Sequence, residues 1–405
     1  MKITILTQYY PPEHGAPQNR LHDLARRWVQ SGVEVTVLTA MPNYPVSEIF
    51  PEYKGKFICT ETIDGVKVVR SAIFVSKKKK TILQLLNYFS FVATSLLAGI
   101  LKLRKCDILI CESPPLFLGG TALLLKIFTR SKLVMNISDL WPDSAVELGM
   151  IGPGLPLKIL EWFEKLLYKS SAMVSCQTEG IVAGVKDSYP EAKTLLFPNG
   201  VDLDMFPVIP RDEALMKELG IPEGVFVAGY GGNHGRSQAL SQILEVAALL
   251  KDEKIFFALF GDGPEKAELQ QKVVDMKLRN LGLFPSQPRE KMAKIQSLWD
   301  IALVPLKNIP LFDGARPSKM FELMAGKIPF IFCGKGEGAD IALESGCAKS
   351  VMPEDHAALA EAVRNMAAMS PDERAKMGES GRTFVSEKFN RGKLAEIFLE
   401  KLKEL

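Results

Sequence analysis

The sequence predicts an α/β protein made of two successive, doubly wound domains. Three observations carry the prediction. A chain of 405 residues is longer than one ordinary hydrophobic core supports. Short apolar runs alternate with stretches of helical period, the pattern of parallel strands linked by crossover helices. After a stretch holding a turn dipeptide and two prolines, residues 199–211 (NGVDLDMFPVIPR), the same alternation starts again.

Each element follows from its own residues. KITILTQ is a continuous apolar run, read as a buried strand; YYPPEHGAP is a loop; QNRLHDLARRWVQSG has helical period and ends at Gly32; VEVTVLTA is the next strand. Further strands are expected in DILICES from Asp107, LVMNISD from Leu133 and AMVSCQT from Ala172, with helix-like stretches between them. The first domain is assigned residues 1–205 and the second residues 206–392. In the second, VFVAGYGG from Val225 runs into glycines ahead of the helix-like SQALSQILEVAALLKD. IFFALFGDGPEKAELQQKV reads as strand, tight turn and helix; IALVPL from Ile301 and IPFIFCG continue the series. In such sheets ligands bind at the carboxyl ends of the strands.

Composition narrows the function. With 47% hydrophobic and 24% charged residues the chain is an ordinary folded protein. A net charge of +3, without any nucleic-acid-reading motif, gives no reason to expect nucleic acid as a partner. Cys59, Cys106, Cys111, Cys176, Cys333 and Cys347 lie scattered, mostly in apolar runs, and read as core thiols of a reducing compartment. The four histidines show no ligand spacing, so neither a metal nor a cofactor is expected. The N-terminal apolar run is too short for a secretory segment, and a cytoplasmic location is expected.

Residues 81–101 (TILQLLNYFSFVATSLLAGIL) carry no charge and approach the roughly 20 residues that span a bilayer. Gln84, Asn87, Ser90 and Thr94 would line one face of a helix. Basic residues flank both ends: Lys77, Lys78, Lys79 and Lys80 before, Lys102, Arg104 and Lys105 after. A spanning helix favours positive charge on one side only. Two readings fit better: a helix lying in the plane of an anionic membrane surface, or a domain helix beside a solvated lysine loop.

Familiar phosphate and hydrolase signatures are absent, with no GxxxxGK[ST], no GxGxxG and no GxSxG. What remains is a set of loops at strand ends. GGNHGRSQ (residues 231–238) offers backbone N–H groups and Arg236 to an anion, or is a glycine turn with a solvent-facing arginine. GDGPE (residues 261–265) allows close backbone approach with Asp262 capping the turn, or is turn chemistry alone. EHGAP (residues 13–17) is equally a ligand loop or a tight turn. In GARPSKMFELMAGKIPFIFCG, Lys319 and Glu322 stand three residues apart at a helix start. They are either a solvated surface pair or a phosphate ligand with a carboxylate that accepts from a ribose diol.

The motifs YYPPEHGAPQNR, VEVTVLTAMPNYP, DLWPDSA, NGVDLDMF, FGDGPE and PSKMFELMAGKIPF follow one another over nearly the whole chain. In that order they resemble the retaining GT-B glycosyltransferases of family four, particularly bacterial enzymes of surface-polysaccharide assembly. The resemblance implies two Rossmann-like domains facing across a cleft. It implies transfer of a sugar from a nucleotide diphosphate donor, held mainly by the C-terminal domain, to an acceptor hydroxyl on the N-terminal one. O-antigen, capsule or exopolysaccharide synthesis on a polyprenyl-diphosphate-linked saccharide is the implied setting. By position, Gly15 and Ala16 would lie beside the donor diphosphate and sugar, and Asp139 near the transferred sugar. Lys319 looks like a diphosphate ligand and Glu322 like the ribose-binding second glutamate of the family's Glu-x7-Glu motif. Gly261, Asp262, Gly263 and Glu265 would border base and ribose, and a terminal helix over residues 393–405 would return to the first domain.

Two positions depart from that pattern. The first glutamate of the motif falls on Gly314, where Asp313 would substitute or the glycine would present its N–H. The family's Arg and Lys pair falls on Asn233 and Gln238, leaving Arg236 to supply the charge. A nucleotide-sugar 2-epimerase would share this fold and nucleotide site without an acceptor. A non-enzymatic two-lobed binding protein would share the repeated domains.

Overall fold

The structure is a computed structural model that describes residues 1–405 except 14, 45, 46, 79, 80, 148 and 150. It divides into two compact units, Met1–Asn199 with Gly392–Leu405, and Gly200–Arg391. The border therefore falls six residues before the expected 205, and the reason is packing. Val201 and Phe206 are buried in the hydrophobic core of the second unit, and Val201 bridges to Asn390.

The first unit opens with β1 (Lys2–Leu6), α1 (Ala16–Gln30) and β2 (Glu34–Ala40). A hairpin follows, β3 (Ile58–Ile63) and β4 (Val66–Ser71), then α2 (Thr81–Lys102). Next come β5 (Ile108–Ser113), α3 (Leu118–Thr129), β6 (Lys132–Ile137) and the short α4 (Asp143–Glu147). The series ends with α5 (Leu155–Ser170), β7 (Met173–Cys176), α6 (Glu179–Ser188) and β8 (Thr194–Leu196). The eight strands lie in the order β3-β4-β2-β1-β5-β6-β7-β8, parallel throughout except for the β3–β4 pair. That hairpin is an addition to the expected parallel sheet. Its turn is the dipeptide Asp64-Gly65, both residues at positive φ, the backbone that a two-residue hairpin loop requires.

Helices α2, α3 and α5 share one core on one side of this sheet, around Phe91, Leu118, Leu125 and Leu167. Helix α1 packs on the other side, around Trp28. The last helix of the chain, α15 (Arg391–Lys403), joins that second core: Phe398 meets the rings of Trp28 and Phe197, and Trp28 Nε1 donates to the Ala395 carbonyl at 2.9 Å. The helices between α6 and α15 in the chain belong to the second unit.

There the elements are α7 (Glu213–Glu218), β9 (Phe226–Gly231), α8 (Ser241–Leu249) and β10 (Ile255–Phe260). They continue with α9 (Lys266–Asp275), β11 (Leu281–Phe284), α10 (Arg289–Gln296) and β12 (Ile301–Pro305). Helix α11 (Ser318–Ala325), β13 (Phe330–Cys333), α12 (Glu337–Glu344) and β14 (Ala348–Val351) follow, before α13 (His356–Ala368) and α14 (Pro371–Lys388). All six strands are parallel, in the order β11-β10-β9-β12-β13-β14, with helices on both faces. Central strands such as IFFALF are buried on both faces, which is why they read as unbroken apolar runs. The six cysteines are free thiols, five of them buried.

Candidate active site

In the second unit two glycine-bearing loops leave the carboxyl ends of the neighbouring strands β9 and β10 and lock together through the backbone. Gly232 N–H donates to the Phe260 carbonyl at 2.9 Å, His234 N–H to Asp262 at 2.8 Å, and Glu265 N–H to His234 at 2.9 Å. Side chains are excluded at the crossing. Gly261 sits at φ +158°, and a Cβ there would lie 1.8 Å from the Gly232 carbonyl oxygen. Gly263 is closed in the same way by the Asn233 side chain and the His234 backbone. Asp262 caps its turn, accepting from Gly263 N–H at 2.8 Å, as the sequence suggests.

Lys319, the second residue of α11, reaches this crossing. Its Nζ lies 4.1 Å from the centre of the Tyr230 ring and would be 2.8 Å from a Cβ on Gly232. The missing side chain at Gly232 thus leaves the room that the ammonium occupies. The residue keeps partial exposure, but its charged end is withdrawn from solvent, and this burial pushes the pKa down to about 8, with Glu322 pulling weakly the other way. Glu322 is half-buried one turn along the same helix. A cation held against exposed loop backbone at strand ends is suited to receive an oxyanion.

Other expected residues fall around this centre. Asn233 packs between Gly235 and Gly263, and its carbonyl accepts from the Tyr230 hydroxyl at 2.7 Å. Glu265 enters through its backbone, as above. Asp313 closes a 3-10 turn; its carbonyl accepts from Glu337 N–H and its carboxylate pairs with Lys335 at 3.4 Å. Gly314 is exposed, with nothing within 4 Å of a Cβ position. Arg236 follows the crossing on the loop from β9 to α8. It is exposed on a 3-10 turn, where its charge helps hold the Glu268 carboxyl of α9 below the usual range, behind the larger effect of Lys272. It is the first residue of that turn, directly after Gly235.

Sequence reasoning passed over four residues here. Tyr230 is buried under Lys319, and Lys266 ties the strand ends together by donating to the carbonyls of Gly261 and Phe284 at 2.5 and 2.8 Å. Arg316 pairs with Glu337 of α12 and fixes the loop leading into α11. His234 is buried in the glycine loop; among the described residues neither ring nitrogen has a hydrogen-bond partner, and burial beside Lys266 lowers its pKa to about 4. Its neutral form is the one that fits there.

In the first unit the expected residues lie at the same end of the sheet. Gly15 precedes α1 with extended backbone, and a Cβ would meet Gln18 Oε1 at 2.4 Å. Ala16 is the first helical residue. His14 of the EHGAP loop lies outside the described residues, while Glu13 accepts from the N–H groups of Asn43 and Tyr44 at 2.7 and 2.9 Å. Asp139 follows β6, accepts from Ser144 Oγ at 2.6 Å, and has a pKa raised by burial. Directly before it, Ser138 belongs to a buried network that the sequence did not reveal. Arg20 of α1 pairs with Glu112 at the end of β5, Ser138 donates to the same carboxylate, and Asn136 joins from β6. Ser175 of β7 donates to Asn136 at 2.6 Å.

Comparison with known proteins agrees with this architecture. Residues 15–200 match the glycosyl transferase 4-like domain and residues 211–384 match the glycosyl transferases group 1 domain. A protein of Escherichia coli strain K12 that bears the name colanic acid biosynthesis glycosyl transferase WcaI is 28% identical over 80% of this chain and 81% of its own. A Pseudomonas aeruginosa protein named as glycosyltransferase WbjE is 27% identical over 65% of this chain and 66% of its own. Among solved structures, sucrose-phosphate synthase from Thermosynechococcus elongatus superposes with a TM-score of 0.74 at 16% identity, over 100% of this chain and 98% of that one. Anabaena HepE, solved with UDP and glucose, gives 0.71 at 15% identity over 100% of both chains. The E. coli trehalose-6-phosphate protein bound with UDP-2-fluoro glucose gives 0.77 at 13%, over 100% and 99%. The chain is a glycosyltransferase of the GT-B fold, a glycosyl transferase 4-like domain followed by a group 1 domain.

Proposed function

We propose that the enzyme moves a sugar from a nucleoside diphosphate donor to an acceptor hydroxyl, with retention at the anomeric carbon, during assembly of a cell-surface polysaccharide on a lipid-linked acceptor. The acceptor oxygen forms the new bond to the anomeric carbon, the bond from that carbon to the diphosphate breaks, and the nucleoside diphosphate leaves with the electron pair. The acceptor proton passes to the leaving phosphate. Solved proteins of the same fold carry UDP or a UDP-sugar, and one relative is named for colanic acid synthesis, which supports the donor class and the pathway class. Retention and the lipid-linked acceptor rest on the family resemblance alone.

The observation that carries the reading is the ammonium of Lys319 held against Gly232 where the two glycine loops cross. In this reading Lys319 and the loop amides stabilise charge developing on the leaving diphosphate. Glu322 accepts from the ribose diol, Arg236 supplies a second cation from the rim, and Asp139 with Gly15 and Ala16 faces the transferred sugar. Gly261, Asp262, Gly263, Glu265 and Asn233 border the nucleoside, with Asp313 and Gly314 beside the sugar.

Titration calorimetry with UDP and with other nucleoside diphosphates tests this. Lys319→Ala is expected to weaken binding of the preferred nucleotide at least about tenfold, roughly 1.4 kcal/mol. Because the Lys319 pKa is lowered to about 8, its charge is present below that pH and lost above it. Affinity in the wild type therefore falls as pH rises from 7 to 9, and the Lys319→Ala variant lacks that step. A variant that binds as tightly as the wild type ends this assignment.

A further inference from the structure

Helices α2, α3 and α5 lie side by side on one face of the first unit's sheet, and their outward sides are apolar. Close approach is secured at glycines: Gly99 of α2 lies against Leu125 of α3, and Gly119 of α3 against Leu167 of α5. The rings of Phe89 and Phe117 meet at a tilt of 40° with centres 4.7 Å apart, closing the seam at the other end. Along α2 the exposed stripe runs through Ile82, Leu86 and Phe89, then Leu97 and Leu101, at steps of three or four residues with the small, exposed Ala93 between the two groups. It continues on α3 with Leu124, Ile127 and Phe128, where Ile127 is 74% exposed. On α5 it ends with Leu155, Ile159 and Trp162, exposed by 71%, 53% and 63%.

This surface is unlike the rest of the chain. On the opposite face of the same sheet, α1 and α15 expose Ile397 as their one large apolar side chain among the described residues. In the second unit α8, α9 and α12 expose one each, Leu249, Val274 and Leu343. Scattered single residues of that kind are ordinary, whereas a continuous stripe over three helices marks an interaction surface.

Two observations choose the occupant. The polar side of α2 is spent on its own domain: Asn87 donates to the Phe74 carbonyl at 2.6 Å, Ser90 accepts from Phe74 N–H at 2.8 Å, and Thr94 donates to the Ala72 carbonyl. The helix therefore lies along the domain with its apolar side out, which fixes it in a plane. Charge supplies the second. Acidic residues are absent from α2 and α3 and α5 exposes one, Glu161, while Lys102, Arg104, Lys105, Arg130, Lys165 and Lys169 stand exposed around the carboxyl ends of the three helices. A second copy of the chain would bring one basic rim onto another. An anionic bilayer accepts both the stripe and the rim.

We propose that the α2–α3–α5 face is a docking surface for an anionic membrane, with apolar side chains entering the headgroup boundary and the lysines and arginines meeting lipid phosphates. The proposal rests on the lipid-linked acceptor reading for its purpose; its geometry stands without it.

The test uses the full chain without sugar nucleotide or acceptor. Sedimentation with phosphatidylcholine vesicles containing phosphatidylglycerol is expected to carry the protein down, and binding should drop at least about tenfold on pure phosphatidylcholine or in high salt. Leu86→Glu, Ile127→Glu and Trp162→Glu combined place one charge on each helix at exposed positions. This variant should melt with the wild type and lose at least about tenfold in vesicle binding. Brominated lipids should quench wild-type tryptophan fluorescence, and Trp162→Phe should remove most of that quenching.

A wild type left in the supernatant, equal vesicle binding by the triple variant, or quenching unchanged in Trp162→Phe overturns the proposal. So does a solution dimer that the triple variant dissociates, which would make the face a contact between copies. A protein that binds vesicles yet transfers no sugar keeps this inference and loses the acceptor reading; transfer to a lipid-linked acceptor without vesicle binding does the reverse.

Discussion

At the ends of β5, β6 and β7 the first domain is held by side chains, whereas at the ends of β9 and β10 the second is held by backbone. In the first, Glu112 gathers Arg20 and Asn136, both buried, and the half-buried Ser138 at the ends of strands that are otherwise apolar. In the second, peptide groups of the Gly232 and Gly261 loops bond directly to one another and the glycines matter for the side chains they lack. The difference is one of adaptability. A side-chain network carries fixed charge and specifies a rigid support for the Asp139 loop, and each member depends on the others being present. A backbone crossing adds no fixed charge of its own and sets peptide groups beside a partly desolvated cation, which suits a site that must receive a diphosphate and let it go.

The contrast predicts where single substitutions hurt most. Glu112→Ala removes the carboxylate but leaves the Arg20 guanidinium, itself 8% exposed, inside the first domain. Breaking a buried pair from one side costs about 3–5 kcal/mol, so this variant should show the largest loss in urea unfolding. Glu112→Gln, which keeps shape and an acceptor, should recover part of it. A loss below about 1 kcal/mol would mean that water or rearranged neighbours satisfy Arg20, and that the network is not the support described.

Gly261→Ala addresses the other side. The added methyl would collide with the Gly232 carbonyl, which is backbone and cannot rotate away. Overpacking of this kind costs about 1–3 kcal/mol, and here it also drives apart the loops that seat Lys319. The expected result is a smaller stability loss than for Glu112→Ala but a loss of nucleotide affinity of at least about tenfold by calorimetry. Unchanged affinity with lowered stability would separate the crossing from the binding site.

The same contrast explains what the sequence disclosed. Glycine loops are visible because glycine is rare at strand ends without a reason: GGNHG and GDGPE stand out, and both lie in the crossing. Lys319 was legible for a related reason, a cation at a helix start after a Gly/Pro loop. Arg20 and Glu112 were not. They are single polar residues 92 positions apart, one in an amphipathic helix and one closing an apolar strand, and nothing local pairs them. For Arg236 spacing gives the loop but not the side chain's surroundings, which are those of an exposed 3-10 turn. Helix α2 was half legible: period put Asn87, Ser90 and Thr94 on one side, but only tertiary contacts show that side facing inward.

Gly314 carries the smallest expected change in stability and the most specific question about the donor. It differs from Gly232 and Gly261 in having open space where a side chain would go and no positive φ, so Gly314→Glu should fold with a change within about 0.5 kcal/mol. The substitution restores a glutamate eight positions before Glu322, where the resemblance places the first acid of the pair. Asp313 is a poor stand-in as it sits, since its carboxylate turns to Lys335 at 3.4 Å; that exposed pair is weak, however, and does not lock it there. If position 314 lies beside the donor sugar, the new carboxylate should alter turnover among sugar nucleotides at least about threefold while leaving affinity for the bare nucleoside diphosphate alone. A variant with the same ranking of donors and the same rates would place residue 314 outside the sugar's reach, and the glycine would then reflect loop geometry rather than donor choice.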